Sequence, residues 1–424
     1  MIRTLKKAIL DVLPKSVVEV YHLFLAWFGA ILYGFPARYM LVVGVTGTKG
    51  KSSTTELLNA ILEEAGYTTA LINSIRFKTA SVSEPNLTRM SMPGRFFIQR
   101  FLYDALKKGC TAAVLEMTSE GARQNRHRFI DLDALIFTNL APEHIESHGS
   151  LQAYANAKFE IGRELVRSRK YPRTIVSNLD DKEGGRYLTL SVENVVPFSL
   201  RGAAPFHANE RGGSFTLENQ ELSVHLPGEF SLKNALAASL TARAFDVPMD
   251  AIRRALKRVT RIPGRAERIE AGQDFTVVVD YAHTPDSLQA LYNAYKNLRK
   301  ICVLGSTGGG RDTWKRPIMG RIADTSCDTI ILTNEDPYDE DPKQIVSDIA
   351  HGMTRRPEII MDRREAIARA LSLAKASDAV LITGKGTDPD IRGARGSKTV
   401  WGDAVVVREE VEKLLAKQGR IINS

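Results

Sequence analysis

The sequence is poor in cysteine and contains no low-complexity tract and no internal repeat. Its 424 residues include three cysteines, Cys110, Cys302 and Cys327, which are far apart, odd in number and in no CxxC pair. This pattern predicts neither a disulfide framework nor a zinc site, and it favours a reducing cytosolic compartment. With 43% hydrophobic and 25% charged residues, the chain has the composition of a folded protein of two or three domains, and disorder is not expected.

The basic residues do not form an arginine-rich tail, although the formal net charge is +9. A basic surface attracts nucleic acid, an anionic membrane or small polyanions. Here the basic residues are scattered, with short clusters such as RQNRHR at residues 123–128. This distribution favours phosphorylated small molecules as partners and argues against nucleic acid.

One long apolar run, SVVEVYHLFLAWFGAILYGF, occupies residues 16–35. Basic residues flank it: Lys6, Lys7, Lys15 and Arg38. Twenty helical residues span about 30 Å, the thickness of a bilayer core, but Glu19 and His22 disfavour a clean span, and no small-residue cleavage site follows. Three interpretations stand: a core helix of the first domain, an in-plane membrane helix, or a span, and the first two are preferred. The flanks predict contact with a membrane surface.

A glycine-rich stretch, VVGVTGTKGKSST, occupies residues 42–54. It joins the end of an apolar strand to a run with helical spacing. In that position backbone N–H groups and the positive end of the helix dipole converge, and glycines let an anion approach the main chain. The stretch therefore predicts a phosphate loop, in which Lys51 reaches the terminal phosphates and Ser52 or Ser53 offers a hydroxyl to Mg²⁺. Val45 stands where the common pattern has its first glycine.

Apolar strand-like runs alternate with amphipathic helical runs along most of the chain. Such alternation is typical of a mostly parallel sheet with helices on both faces. The strand-like runs lie at residues 112–117, 134–140, 174–180, 275–282, 300–310, 329–334 and 379–386. Residues 198–226 instead suit short antiparallel strands that complete the first domain, and residues 232–245 predict a helix.

These patterns predict an α/β protein with two doubly wound units. A P-loop ATPase-type central domain with a mostly parallel sheet spans residues 41–262, and a Rossmann-like C-terminal domain spans residues 263–424. An apolar helical segment, residues 1–40, precedes them. The boundary lies at the Pro-Gly break in VTRIPGRAERIE, residues 259–270.

Several polar residues follow the predicted strands. Glu116 ends AAVLEM, and a carboxylate beside a phosphate loop binds Mg²⁺ directly or through water. The next strand leads to His144, His148 and Lys158. Alone these are weak signals, because a lone loop histidine is more often structural and a lone helical lysine is more often solvated.

Taken together, the motifs resemble those of the Mur ligases, ATP-dependent enzymes that add amino acids to the peptide stem of the bacterial cell-wall precursor. The resemblance is closest to the MurE type, which adds the third residue. The matching segments run in family order over residues 41–403: GVTGTKGKSS, LEMTSEG, FTNLAPEHIESHG, YANAK, SNLDD, GEFSLKNALAA, IPGRAERIE, VVVDYAHTPDSL, GSTGGGRDTWKRPIMG, NEDPYDEDP and GKGTD.

The resemblance implies roles for residues at matching positions. The loop residues would bind ATP: Gly47, Thr48, Gly50, Lys51, Ser52 and Ser53. Ser52, Glu116, His144 and Lys158 would hold Mg²⁺, and Lys158 falls on the lysine that is carbamylated in the family. Carbamylation by CO₂ would turn that amine into a bidentate anion. Adenine, phosphate and ribose contacts would come from Asn234, Arg265 and Asp280, and His283 would close over the nucleotide from the second domain.

The implied reaction has two steps. ATP phosphorylates the carboxylate of an acceptor such as a UDP-MurNAc-peptide, and the amino group of an amino acid then displaces phosphate. Lysines and metal ions offset the negative charge of both partners. The linker at residues 262–264 would act as a hinge. The resemblance also implies a cytoplasmic enzyme, peripheral at the inner membrane face if the apolar segment binds there.

The sequence departs from the family before Val42, where MurE enzymes have a separate domain for the UDP group. Three interpretations follow: another surface or subunit holds the UDP-sugar, the acceptor is a different carboxylate, or the acceptor is linked to the membrane. Folylpolyglutamate synthases, which lack that domain, are the nearest rival enzyme class. A catalytically silent scaffold is the alternative outside enzymes, and the retained Lys51, Glu116, His144 and Lys158 argue against it.

The motif NEDPYDEDP bears on the amino acid that is added. In diaminopimelate-adding MurE enzymes the matching motif reads DNPR, and its arginine contacts the distal carboxylate. Tyr338 stands at that position, and the family's GKGHE appears here as GKGTD. A tyrosine cannot supply a two-pronged cation, so the sequence predicts lysine, or another amino acid without a distal carboxylate, over meso-diaminopimelate. The acidic neighbours of Tyr338 would suit an ammonium group or would shape the loop.

Overall fold

The computed structural model describes residues 14–143, 145–417 and 419. Its helices are α1 (Lys15–Leu32), α2 (Lys51–Glu64), α3 (Arg95–Lys107), α4 (Ser119–Arg123), α5 (Ile145–His148), α6 (Leu151–Arg167), α7 (Gly184–Tyr187), α8 (Gly228–Arg243), α9 (Met249–Arg258), α10 (Pro285–Ala294), α11 (Lys315–Ser326), α12 (Pro342–Ala350), α13 (Arg363–Ser372) and α14 (Asp403–Lys417). Short 3₁₀ turns lie at Pro36–Tyr39, Arg201–Ala203 and Ala394–Gly396.

The strands are β1 (Leu41–Thr46), β2 (Thr69–Ile72), β3 (Arg76–Thr79), β4 (Val82–Pro85), β5 (Ala112–Glu116), β6 (Ala134–Phe137), β7 (Thr174–Asn178), β8 (Asn194–Phe198), β9 (His207–Ala208), β10 (Gly213–Leu217), β11 (Gln220–Val224), β12 (Glu267–Arg268), β13 (Thr276–Asp280), β14 (Lys300–Leu304), β15 (Thr329–Leu332), β16 (Glu358–Ile359), β17 (Ala379–Thr383), β18 (Asp390–Arg392) and β19 (Lys398–Val400). Each strand predicted from a run of apolar residues is present.

The described chain divides into two compact units. The first comprises the described residues up to Leu140, with Ser150–Gly202 and Asn234–Ala255. The second comprises the described residues of Ala141–Gly149, Ala203–Lys233 and those from Leu256 onward. The chain crosses between the two units five times. The domain bounds predicted from the sequence, which place one boundary at one linker, therefore remain predictions.

The first unit is built on an eight-stranded sheet in the order β4-β3-β2-β5-β1-β6-β7-β8. Its central strand β1 pairs in parallel with β5 and β6, and the pairs β2–β3 and β3–β4 are antiparallel. Residues of β5, β6 and β7 are buried throughout, as expected for strands covered on both faces. The carboxyl ends of β1, β5 and β6 meet at one edge of the sheet, which is where such sheets place their sites.

Helix α1 packs on α3 through small residues and leaves its larger apolar side chains exposed. Ala26 and Ala30 are buried, and a side chain at Gly29 would meet the ring of Phe96 at 3.5 Å. The exposed apolar residues follow one face: Val17, Val20, Leu23, Phe24, Trp27, Phe28, Ile31 and Leu32. Among the described residues, no helix combines the length and the hydropathy needed to cross a bilayer.

The second unit contains a six-stranded sheet in the order β12-β13-β17-β14-β15-β16, parallel except for β12. This confirms the predicted α/β class with two mostly parallel sheets. The small sheet β9–β11 also belongs to this unit, whereas residues 198–226 were predicted to complete the first domain. The segment that follows explains the difference, because Gly228 N–H donates to Asn209 O at 3.0 Å and Phe230 packs on the core of the second unit.

Cys302 of β14 and Cys327, which follows α11, form a disulfide with a Cα–Cα distance of 6.2 Å. The expectation of no disulfide was therefore wrong. The two residues are 25 positions apart, but helix α11 returns the chain to β15, which lies beside β14 in the sheet. Cys110 is a buried free cysteine.

Candidate active site

The loop between β1 and α2 has the backbone that a phosphate site requires. Gly47 has φ +143° and Gly50 has φ +81°, a region that favours glycine. A Cβ at Gly47 would lie 2.0 Å from Thr138 Oγ1, and one at Gly50 would lie 2.3 Å from Asn234 Oδ1. Both glycines are therefore required, and the main chain of the loop stays accessible to an anion.

Residues that follow β6 brace this loop. Thr48 N–H donates to Asn139 O and Lys49 N–H donates to Asn139 Oδ1, each at 2.8 Å. Thr138 Oγ1 donates to Lys49 O at 2.7 Å. Thr138 and Asn139 were not predicted as site residues, although their position at the end of a strand beside β1 is a usable signal.

The first turn of α2 directs its backbone N–H groups toward the loop. Gly50 caps the helix without a side-chain hydrogen bond, and the first turn contains no acidic residue. The N–H groups of this turn and the helix dipole form an anion site. Lys51, the first helical residue, donates from Nζ to Thr48 O at 2.9 Å. Lys51, Ser52 and Ser53 therefore lie where the phosphate-loop prediction placed them.

Glu116 at the end of β5 lies against the loop. Ser52 Oγ donates to Glu116 Oε2 at 2.8 Å, so two predicted Mg²⁺ ligands are in direct contact. Ser74 N–H donates to the same oxygen at 3.0 Å, and Ser91 Oγ donates to Oε1 at 2.8 Å. These partners orient the carboxylate. Ser74 and Ser91 were not predicted, because they come from loops distant in sequence.

Lys158 of α6 contacts the same loop. Its side chain is 2% exposed, and Nζ donates to Gly47 O at 2.6 Å. Nζ also lies 4.7 Å from the centroid of the Tyr154 ring, and the Tyr154 hydroxyl is 3.1 Å from Thr48 Oγ1. A lysine that sequence alone would place on a solvated helix face is thus buried beside the phosphate loop.

The donor set at this edge fits Mg²⁺. The Ser52 hydroxyl and the Glu116 carboxylate are hard oxygen donors, and Mg²⁺ is commonly held by one or two carboxylates with phosphate oxygens and water. Within the described ranges, no group of three or more histidine, cysteine, aspartate or glutamate side chains is arranged to hold a metal. His144, the other predicted ligand, lies outside the described residues.

Asn234 of α8 lies in the first unit, against the phosphate loop. It is buried, and Thr54 Oγ1 donates to Asn234 Oδ1 at 3.4 Å. The structure therefore brings the predicted adenine contact to the loop. Its contact with adenine remains a prediction.

The remaining predicted nucleotide contacts form a cluster at the end of β13 in the second unit. The Arg265 guanidinium lies 4.6 Å from the centroid of the Tyr281 ring. Both Asp280 oxygens accept backbone hydrogen bonds, from Ala266 N–H at 2.5 Å and from Ala282 N–H at 2.6 Å. Asp280 thus shapes two turns, and a ribose contact would have to share its oxygens.

His283 is held from both sides of its ring. Its Nδ1 lies 2.7 Å from Tyr281 O, and its Nε2 lies 2.8 Å from Glu143 Oε1. The Glu143 side chain is 8% exposed. Glu143 and Tyr281 were not predicted as partners of His283. A glutamate or a tyrosine at these positions indicates a site only when the residue beside it in space is known.

Acidic residues of NEDPYDEDP are largely engaged within the second unit. Lys385 Nζ donates to Asp336 Oδ1 at 2.7 Å, and Arg316 Nη1 donates to Glu340 Oε1 at 2.6 Å. Asp341 caps α12. These contacts support the interpretation that the acids shape the loop.

Tyr338 itself adopts a positive φ of 54°. The Arg311 guanidinium lies 5.0 Å from the centroid of its ring. A cation is therefore present beside the residue that replaces the arginine of DNPR.

Comparison with known proteins decides the family. Residues 45–242 match the family described as "Mur ligase middle domain". Residues 264–386 match the family described as "Mur ligase, glutamate ligase domain". The chain belongs to the Mur ligase family. It is accordingly an ATP-dependent ligase that forms amide bonds, as the sequence motifs predicted.

Relatives cover most of the chain. A UDP-N-acetylmuramoyl-L-alanyl-D-glutamate--2,6-diaminopimelate ligase of Halalkalibacterium halodurans is 34% identical over 393 residues, which are 90% of this chain and 80% of that protein. A UDP-N-acetylmuramyl-tripeptide synthetase of Roseiflexus sp. is 36% identical, with 92% of this chain and 82% of that protein covered. The MurE-type resemblance is confirmed.

Solved structures show the same fold. A UDP-N-acetylmuramoyl-L-alanyl-D-glutamate--2,6-diaminopimelate ligase matches with a TM-score of 0.61 at 28% identity, over 88% of this chain and 79% of that one. A folylpolyglutamate synthase of Mycobacterium tuberculosis matches with a TM-score of 0.67 at 18% identity, over 90% and 95%. At that identity the likeness to the rival class concerns the fold alone.

Proposed function

We propose that this protein adds the third amino acid to a MurNAc-linked dipeptide by way of an acyl phosphate. The observation that carries the proposal is the hydrogen bond from Lys158 Nζ to the carbonyl oxygen of Gly47. This bond lies in the loop that Lys51 and Ser52 belong to, and Glu116 accepts from Ser52 there. Groups suited to binding a nucleotide and a metal ion thus lie beside a buried lysine. The names of the relatives supply the acceptor class.

The chain's own groups have distinct tasks in this reaction. Backbone N–H groups of the loop and the Lys51 ammonium bind the phosphates of ATP and offset the charge that develops as the γ-phosphoryl group moves. Bound through Ser52 and Glu116, Mg²⁺ would neutralise phosphate oxygens. An acceptor carboxylate oxygen attacks the γ-phosphorus and ADP leaves. The amino nitrogen then attacks the acyl carbon, and its loss of a proton and the departure of phosphate complete the amide.

We also propose that Lys158 is carbamylated in the active enzyme. Its amine would attack CO₂ and lose a proton, which gives an N-carboxylate with two oxygens. That change reverses the charge beside Gly47 and supplies a hard anionic ligand suited to Mg²⁺. The near-complete burial of Lys158 supports this role, because an ordinary structural lysine would keep its ammonium in water.

A third proposal concerns where the enzyme works. We place it in the cytoplasm, in contact with the inner membrane surface through α1. The exposed face of that helix includes Val20, Phe24, Trp27 and Leu32, which are 66%, 54%, 45% and 58% exposed. An apolar helix face with aromatic residues and basic flanks is typical of interfacial helices. The basic flank at Lys6 and Lys7 lies outside the described residues.

The acceptor is tested by direct ligation. Purified protein is incubated with ATP, Mg²⁺, one candidate amino acid and one of three acceptors: a UDP-MurNAc-dipeptide, a lipid-linked MurNAc-dipeptide or a folate. Phosphate release and the mass of the product are measured. We expect a gain of one amino acid on a MurNAc acceptor. Turnover with folate alone would replace this proposal with the rival class.

A further inference from the structure

A cavity of about 410 Å³ lies in the first unit and is lined by residues of α1, α6 and the turn after α4. Val20 and Leu23 of α1 form an apolar part of its lining, and both also belong to the exposed apolar face of that helix. Helix α6 contributes Glu160 and Arg167. The cavity thus joins the apolar face of α1 to charged side chains.

The turn after α4 is fixed to both helices. Asn125 has φ +54°, a region that asparagine tolerates, and its Nδ2 donates to Glu19 O of α1 at 3.4 Å. Glu164 of α6 accepts from Phe129 N–H at 2.8 Å and pairs with Arg128 at 2.6 Å. The residue between these contacts is therefore held against the cavity.

That residue is His127, which lines the cavity and is 2% exposed. Neither of its ring nitrogens has a hydrogen-bond partner among the residues that the structure describes. Burial, with the charges of Arg128 and Arg167, lowers the pKa of His127 to about 3. The ring is therefore neutral and offers one donor and one acceptor. A buried polar ring without partners costs free energy, which a ligand with an oxygen acceptor for its N–H would recover.

The charged groups that line the cavity balance one another. Glu19 and Glu160 carry negative charge, and Arg128 and Arg167 carry positive charge. Arg167 lies 3.9 Å from Glu160 and 3.7 Å from Glu164, and both distances exceed that of a good hydrogen bond. The Arg167 guanidinium can therefore donate to a phosphate while both carboxylates stay in place. A lining with both signs of charge suits a zwitterion, because the glutamates would repel a ligand that is only anionic.

The apolar lining extends beyond the cavity along α1. Phe24 and Trp27 follow Val20 and Leu23 on the same exposed face. An acyl chain attached to a group in the cavity would cover this face and remove apolar surface from water. The surroundings of the cavity therefore suit a ligand with a zwitterionic end and an apolar end.

We propose that this cavity binds the headgroup of a phospholipid that carries a phosphate and a primary ammonium. The phosphate accepts from Arg167, the ammonium donates to Glu160, and the acyl chains cover Val20 and Leu23. The proposal rests on the contact of α1 with the inner membrane surface proposed above. It gives that contact a preferred headgroup, which burial of apolar side chains alone does not select.

Calorimetry with short-chain lipids tests the cavity without a membrane. Dihexanoyl-phosphatidylethanolamine and dihexanoyl-phosphatidylcholine share the phosphate and the chains, but choline has no N–H to donate. We expect the wild type to bind the ethanolamine lipid more tightly. Arg167→Ala should weaken binding of both lipids about tenfold, the effect of losing a hydrogen bond between charged groups. Glu160→Gln should reduce the preference for ethanolamine.

Arg123→Ala is the matched control. Arg123 is 46% exposed and Arg167 is 48% exposed, but Arg123 lies outside the lining of the cavity. Equal binding of the two lipids by the wild type, or unchanged affinity in a folded Arg167→Ala protein, would overturn the proposal. Phosphoethanolamine, which is the headgroup without chains, should bind more weakly than the lipid. If it binds as tightly, the cavity takes a soluble zwitterion and the assignment to a lipid fails.

Sedimentation separates this proposal from the membrane contact of α1. Phosphatidylcholine vesicles with and without phosphatidylethanolamine are compared, and we expect more wild-type protein to sediment with the mixed vesicles. Equal sedimentation with both would leave α1 on the membrane and overturn the headgroup proposal. If the short-chain ethanolamine lipid binds but the protein sediments with neither vesicle, the cavity stands as a lipid site and the membrane contact fails.

Discussion

Lys158 and Gly47 are joined by a 2.6 Å hydrogen bond from the lysine Nζ to the glycine carbonyl. The bond links helix α6 to the phosphate loop across 111 positions of sequence. It places a buried amine where a nucleotide's phosphates would approach. We therefore expect the chemical state of Lys158 to control catalysis.

Replacement of Lys158 tests that expectation. Lys158→Ala should lose ligation and regain part of it with formate or acetate, because a short carboxylate can occupy the volume and charge of the lost carbamate. Arg163→Ala is the control, since Arg163 lies on the same helix and is 53% exposed. Normal turnover by Lys158→Ala without additive would refute carbamylation.

Lys51 should be needed for turnover but not for folding. Lys51→Ala removes a cation from the phosphates, while the half-buried side chain donates to Thr48 O and adds little to the apolar core. We expect ATP-dependent ligation to fall below detection and the melting temperature to change little. If Lys51→Ala still forms product, the loop does not have the role in phosphate binding that is proposed for it.

Gly50 should not tolerate a side chain. Gly50→Ala places a methyl group against Asn234 Oδ1 at a positive φ, which costs about 1–3 kcal/mol in backbone strain. Weaker ATP binding and lower unfolding temperature are expected, with partial recovery in Gly50→Ala/Asn234→Ala. Gly185→Ala, where the added carbon meets nothing within 4 Å, is the control. Full ATP affinity in Gly50→Ala would show that the loop adopts another conformation.

Tyr338 predicts the choice of amino acid. Lysine should compete successfully with meso-diaminopimelate in one assay, because the tyrosine cannot pair with a distal carboxylate. Product masses distinguish the two outcomes. If diaminopimelate is incorporated at least as efficiently, another cation serves that carboxylate, and Arg311 beside the Tyr338 ring is the residue to replace next.

Membrane contact should depend on the exposed face of α1. Phe24→Ser and Trp27→Ser together remove two aromatic side chains from that face and should reduce sedimentation with anionic liposomes. Tyr171→Ser removes an aromatic side chain that is 80% exposed and lies outside α1, and it should leave sedimentation unchanged. Equal sedimentation of the wild type and both variants would show that α1 contributes to the fold and does not bind the membrane.

Local patterns were enough to predict the parallel sheets and the phosphate loop, because strand, turn and helix start lie within one stretch of sequence. The contact of Ser52 with Glu116 followed from adjacent strand ends. The hydroxyl of Ser91, the Cys302–Cys327 bridge and the placement of residues 203–233 could not be predicted, since each depends on where distant segments return. Periodicity likewise detected the apolar character of α1 but not which of its residues stay exposed.

The central claim, that the acceptor carboxylate is activated as an acyl phosphate, can be tested with oxygen-18. A UDP-MurNAc-dipeptide labelled in its reacting carboxylate is incubated with ATP, Mg²⁺ and the amino acid, and the released phosphate is analysed by mass. The account predicts one labelled oxygen in each phosphate formed with product. Amide product accompanied by unlabelled phosphate would contradict it.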